Sequence, residues 1–121
     1  EEFRPFAPAI LSEMTNEYFE ISQSSPHMLI AVTVKQDKIS DIPAVVHVDN
    51  SARVQTVDKT NNPKFRKLLE EFFQLTGCPV LLNTSFNVKG QPIVNSPDDA
   101  IDCFLSTNID VLAVGDFIVE K

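Results

Sequence analysis

Three observations predict a mixed α/β fold for this 121-residue chain, a twisted mixed β-sheet with flanking helices. Short apolar, β-branched runs of strand length stand at 28–34, 80–82 and 111–119. Two stretches with helical periodicity begin at Asn62 and Ser96, each opened by a capping side chain and a proline. The two kinds of segment follow one another along the chain, which is the order expected of helices laid on a sheet.

In chain order, residues 1–8 set Phe3, Phe6 and two prolines around Arg4 and predict an extended, kinked segment. Residues 9–19 read as a short helix with Ile10, Met14 and Phe19 inward. After a polar break at 22–26, residues 28–34 predict a central strand, and 36–41 a charged loop. Residues 42–49 and 52–58 alternate with period two around Asn50 and Ser51 and predict paired strands. Ala44, Val46 and Val48 share one face; His47 and Asp49 share the other. A connection of odd length would place Asp49 near Arg53, a strict two-residue hairpin would set Arg53 beside Val48, and a wider loop stays open.

Asn62 caps the clearest helix, with Pro63 first, Phe65, Leu68, Leu69, Phe72 and Leu75 or Thr76 inward, and Gly77 closing it in the left-handed position. Residues 80–82 predict a strand buried on both faces. Ser96, Pro97, Asp98 and Asp99 start a second helix reaching Leu105, its apolar side carried by Ala100, Ile101 and Phe104. Val111 to Val114 and Phe117 to Val119 read as strands broken by Gly115-Asp116.

A chain of this length is expected to form one domain and bury roughly two thirds of its unfolded surface. Its net charge of −7 argues against nucleic acid and anionic membrane as partners. A phosphate-bearing ligand must then meet a local cluster drawn from ten Lys and Arg. Cys78 and Cys103 lack metal-type spacing, so no metal site is expected; buried thiols in a reducing cytoplasm are the reading, with a disulfide unsupported. No apolar run has transmembrane length. Glu1-Glu2-Phe3-Arg4 opens without an initiator Met, in what reads as ordered structure, and the chain is expected to be a piece of something longer.

Three places carry groups suited to chemistry. The apolar run at 80–82 gives way within one residue to Asn83, Thr84, Ser85 and Asn87, where open α/β sheets hold ligands; the plain alternative is a polar turn. Arg4, framed by Phe3, Pro5 and Phe6, suits a fixed fork for carboxylate or phosphate, against a surface arginine covering an aromatic ring. Arg53 follows a tight turn; its plain reading is a salt bridge to Asp49. Ser85 lacks a His–carboxylate pair positioned by sequence to activate it, which leaves hydrogen-bond donation to a phosphoryl or carbamoyl oxygen. His27 and His47 read as structural or surface residues.

Four blocks resemble one family. Phe3-Arg4-Pro5-Phe6-Ala7-Pro8, the run from His47 through Val57, the run from Leu82 through Val94, and Val114-Gly115-Asp116-Phe117 are similar, nearly end to end, to the C-terminal domain of the nodulation-type (NodU-like) O-carbamoyltransferases. Asn50 and Ser51 stand where the family is expected to carry Gly and Thr, in a turn with positive φ. The resemblance implies a YrdC-like fold preceded in the same polypeptide by a Kae-like domain. It implies that carbamoyl phosphate and ATP, with Mg2+, become carbamoyl adenylate, whose carbamoyl group the preceding domain passes to a small-molecule hydroxyl acceptor in a cytoplasmic biosynthetic reaction.

Carried over by motif, Arg4, Arg53, Asn83, Thr84, Ser85 and Asn87 would bind substrate and nucleotide, with Arg53 and Ser85 catalytic. A family lysine is expected just upstream of Arg4, before this chain begins, so the isolated fragment is expected to be inactive. A domain of this kind is also expected to expose apolar surface around 3–8 and to self-associate. The alternatives are a non-catalytic docking module that completes a larger partner domain, and a stand-alone RNA- or nucleotide-binding domain, against which the acidic charge counts.

Overall fold

A computed structural model describes residues 6–121 and divides the chain into two compact units, one up to Thr84 and one from Ser85 onward. Their class is the expected mixed α/β, with the strands distributed over three small sheets.

The first unit is built on β1 (Ala7–Leu11). A short 3-10 turn (Ser12–Met14), α1 (Thr15–Tyr18) and β2 (Phe19–Glu20) follow it, then β3 (Ala31–Val34). After two further 3-10 turns come β4 (Ser51–Arg53), β5 (Gln55–Val57), α2 (Pro63–Thr76) and β6 (Val80–Asn83). Strand β1 lies between β5, parallel to it, and β6, antiparallel. The period-two alternation of β1 serves two cores. Ala9 and Leu11 pack with Val57 and Leu69 on the α2 side, and Ile10 packs with Phe19, Val34, Ala52 and Val54 on the other. A second sheet, β2-β3-β4, is antiparallel throughout. Val54, fully buried, is the corner where one run of chain leaves that sheet and enters the first.

Four expectations are corrected in this unit. Residues 7–11 form a central strand and not a kinked segment running into a helix, and helix occupies only 15–18. Ala9, Ile10 and Leu11 are compatible with helix locally, but burial on both faces of a sheet decides. Pro8 is tolerated because the Leu11 N–H donates to Pro79 O (3.4 Å), which turns the backbone of odd-numbered β1 residues toward β6. The missing donor of Pro8 thus faces β5, whose pairing begins only at Ala9. Residues 44–48 are not a strand: Pro43–Val45 is a 3-10 turn and His47 opens a tight turn. Pro43, with fixed φ and no donor, starts that turn. The strand at 28–34 begins only at Ala31, after Met28 at φ 56. Strand β6 is an edge strand, with Leu82 44% exposed, and not a strand buried on both faces.

Helix α2 has the expected bounds. The Asn62 side chain accepts from the Phe65 N–H (3.4 Å), Pro63 is its first residue, and Gly77 ends it at φ 75. Its inward face differs from expectation: Leu69 is fully buried, Leu68 and Leu75 are exposed, and Arg66 is 5% exposed. Arg66 Nε donates to Glu70 (2.7 Å), and Nη1 donates to Glu13 (2.7 Å) and to Val57 O (2.9 Å). Its Nη2 also donates to Glu13, tying α2 to the end of β1 and β5.

The second unit carries α3 (Pro97–Leu105) and the hairpin β7 (Val111–Val114) and β8 (Phe117–Glu120), all as expected. Ser96 Oγ accepts from the Asp99 N–H (3.1 Å), capping α3. Gly115 at φ 58 with a conventional Asp116 gives the II′ pattern that suits a two-residue hairpin. Ala100, Phe104 and Leu112 form its core, with Phe86, Val94 and Val119 against them.

Candidate functional site

The turn from His47 to Ser51 is the most chemically loaded part of the first unit. The His47 N–H donates to Ser51 O (2.8 Å) and the Asn50 N–H to His47 O (2.9 Å). The loop closes because Asn50 accepts φ 65, the positive value that the resemblance expected at this position. Asp49 Oδ1 receives both the Ser51 N–H (3.0 Å) and the Ser51 hydroxyl (2.6 Å). The Ser51 hydroxyl first, and its N–H second, hold the Asp49 carboxyl below the usual carboxylate range.

This turn forms one side of a cleft of about 490 Å³. Its lining is divided by chemistry. Phe6, Ala7, Ala31, Val45 and Ala52 supply an apolar wall, and His47, Asp49, Ser51 and Arg53 supply the polar groups. Arg53, paired with Ala31 in the second sheet, is exposed. The Arg53–Asp49 salt bridge weighed as the plain alternative for Arg53 is absent among the described residues, although both line the cleft. The His47 ring stands with Nδ1 3.8 Å from Asp49 Oδ1, too far for a hydrogen bond. That nitrogen is shielded from solvent and has no hydrogen-bond partner among the described residues.

The other expected site residues fall elsewhere. Arg4 lies outside the described residues. Asn83 ends β6, and its Nδ2 donates to Gln55 Oε1 (3.0 Å) across the central strand. Thr84 is exposed at the end of the first unit. Ser85, also exposed, begins the second unit. Asn87 spends its amide on the loop around it, donating to Val88 O (3.3 Å) and Gln91 O (3.0 Å). Within the second unit Asn87 lines a separate cleft of about 430 Å³ with Asp99, Asp102 and Cys103. Cys78 and Cys103 are free, half-buried and buried respectively. Among the described residues no trio of His, Cys, Asp or Glu gathers as a metal site, and no helix is long and apolar enough to cross a membrane.

Sequence reasoning set His47 aside, yet it lines the cleft beside Arg53. The signal available was the alternation His47, Asp49, Ser51, Arg53, four chemistry-bearing side chains at every second position across a turn.

With this geometry in place, comparison with known proteins fixes the family. The chain belongs to the carbamoyltransferase C-terminus family, whose profile matches residues 1–121. It is 45% identical, over its whole length, to an uncharacterised protein of Synechocystis, of which it covers 23%. It is 44% identical over its whole length to nodulation protein NolNO of Sinorhizobium fredii, covering 18% of it. Over 96% of its length it is 39% identical to the 3'-hydroxymethylcephem-O-carbamoyltransferase of Streptomyces clavuligerus, covering 22% of that protein. The chain thus spans about a fifth of the length of these relatives.

Proposed function

We propose that this chain is the carbamoyl-phosphate- and ATP-binding part of an O-carbamoyltransferase that makes carbamoyl adenylate for transfer to an acceptor hydroxyl by a preceding Kae-like domain. In balanced form, carbamoyl phosphate, water and ATP yield carbamoyl adenylate, phosphate and pyrophosphate. The observation that carries this reading is the cleft of the first unit. On a protein of net charge −7 it presents Arg53 with no carboxylate partner among the described residues, against an apolar wall.

A guanidinium left uncommitted at the edge of a cavity is the fork that phosphate oxygens require. Chemistry at a phosphoryl or acyl-phosphate centre rests mainly on positioned cations and donors that meet charge as it moves; in this reading Arg53 is the cation of the first unit, and Ser85, carried over by motif, is a hydroxyl donor. Asn83, Thr84 and Asn87 carry further amide and hydroxyl groups, and Arg4 a second guanidinium. ATP enters as its Mg2+ complex. The relative from Streptomyces clavuligerus, named for O-carbamoyl transfer to a hydroxymethyl group, supports the acceptor class.

The test is isotope exchange between pyrophosphate and ATP in the full-length protein. Exchange that depends on carbamoyl phosphate and needs no acceptor is the expected result. Carbamoyl transfer without any such exchange would mean that activation does not pass through an adenylate.

A further inference from the structure

Resting on the reading above, we propose that His47, oriented by Asp49, is the acceptor that receives an N–H of the carbamoyl group while Arg53 holds the attached phosphate.

Some polar groups in the cleft are already committed. Ser51 gives both its N–H and its hydroxyl to Asp49 Oδ1. Phe6, Ala7, Ala31, Val45 and Ala52 offer an amino group nothing. Arg53 is a donor only. Asp49 Oδ2 and His47 are the acceptors that carry no hydrogen bond among the described residues; the carboxylate stands on the Nδ1 side of the ring, and the two nitrogens of His47 stand in different surroundings. Nδ1 is shielded from solvent, with the Asp49 carboxylate 3.8 Å away.

A carboxylate on that side favours the tautomer with the proton on Nδ1, leaving the lone pair on Nε2. The side chain as a whole is 43% exposed and lines the cleft, so the open edge of the ring is the one carrying Nε2. The Ser51 hydrogen bonds hold Asp49 in place, and Asp49 in turn fixes which face of the imidazole is basic. The gap to Asp49 is one that closes when a ligand pulls on Nε2, as apo contacts of this kind do.

The cleft therefore offers a cation for an anionic end and a hydrogen-bond acceptor for a donor next to it. Carbamoyl phosphate has that pattern, a phosphate joined to a carbonyl that bears two N–H groups. Acetyl phosphate has the same shape with a methyl group instead, and would leave the Nε2 lone pair facing an apolar group. A site built to hydrogen-bond an N–H discriminates strongly against an analogue that lacks it.

The experiment measures, in the full-length protein, carbamoyl-phosphate-dependent exchange between pyrophosphate and ATP with acetyl phosphate as competitor. Its readout is the ratio of the inhibition constant of acetyl phosphate to the KM of carbamoyl phosphate. His47→Phe keeps a flat ring and removes both nitrogens; the ratio is expected to fall by roughly 10- to 100-fold, mainly through KM. His47→Gln carries an amide oxygen toward the place of Nε2 and is expected to keep the ratio within a few-fold of wild type. Asp49→Asn leaves the imidazole present but unoriented and lowers the ratio by a smaller factor, which covers a His47→Phe protein that does not fold. An unchanged ratio in the foldable variants, with exchange intact, overturns the assignment of His47 alone. Loss of carbamoyl-phosphate dependence in the wild type overturns the adenylate reading and this proposal with it.

Discussion

Two arginines of the first unit make opposite use of the same side chain. Arg66 is 5% exposed and its donors are committed to Glu13, Glu70 and the Val57 carbonyl. Arg53 is exposed, lines a cleft and has no ionic partner among the described residues. The first is the arrangement of a structural clamp, in which a charge taken out of water is compensated on every side. The second, on the reading proposed above, is that of a group available to a phosphate-bearing ligand. An arginine whose donors are all bound to the fold serves structure, whereas one with free donors at a cavity is available to a ligand.

The largest loss of folding stability is expected at Arg66. Arg66→Ala leaves Glu13, Glu70 and a backbone carbonyl without their donor, and is expected to cost on the order of 3 kcal/mol. That is the low end of the roughly 3–5 kcal/mol typical of a broken buried pair, because the Glu13 side chain is 56% exposed and can recover solvent. Chemical denaturation reads this as a lower midpoint with an unchanged slope.

Arg53→Ala is next. It is expected to reduce carbamoyl-dependent exchange by about 100- to 1000-fold, or about 2.7–4 kcal/mol in the barrier, as for loss of one charged contact that tightens in the transition state. Ser85→Ala should lower exchange by less, because a neutral hydroxyl is a weaker donor than a guanidinium. Steady-state rates of the two variants, measured together, test that order.

The gentlest perturbation is acid. The Arg66 hydrogen bond, the largest influence on Glu13, holds its carboxyl below its ordinary value of 4.5. A carboxylate with a depressed folded pKa adds stability that is complete above its unfolded pKa and lost as pH falls through the folded one. Melting temperature should therefore decline below about pH 4.5. Glu13→Gln should flatten part of that decline, and an unaltered profile would remove Glu13 from the clamp.

Local signals in the sequence were sufficient where local chemistry decides the structure. Asn62, Pro63 and Gly77 bound α2, Ser96 and Pro97 open α3, and Gly115-Asp116 turns the β7–β8 hairpin, each through a cap or a φ preference that a few residues set. What could not be read locally was β1. Residues 8–11 are buried on both faces of the sheet, so apolar and polar residues do not alternate along them, and Pro8 argues against a strand until the side it turns toward β5 is known. The turn at 47–51 imitates a strand by alternating polar and apolar residues, while Pro43 and Asn50 send the backbone elsewhere.

Arg66 was hidden for a related reason. A charge on the inward stripe of a helix declares itself only when its partner Glu13, 53 positions away, is brought to it by β1. At the candidate site, Arg53 and the spacing around it were legible, whereas the shielding of His47 Nδ1 arises only once the turn has closed.

The most direct measurement places the two arginines side by side in the full-length protein, with exchange between pyrophosphate and ATP and thermal melting recorded for each variant. Arg53→Ala is expected to lose exchange by two to three orders of magnitude while melting as wild type does. Arg66→Ala is expected to melt early and, below its transition, to exchange at close to the wild-type rate. Wild-type exchange in a folded Arg53→Ala protein would contradict the account at its centre.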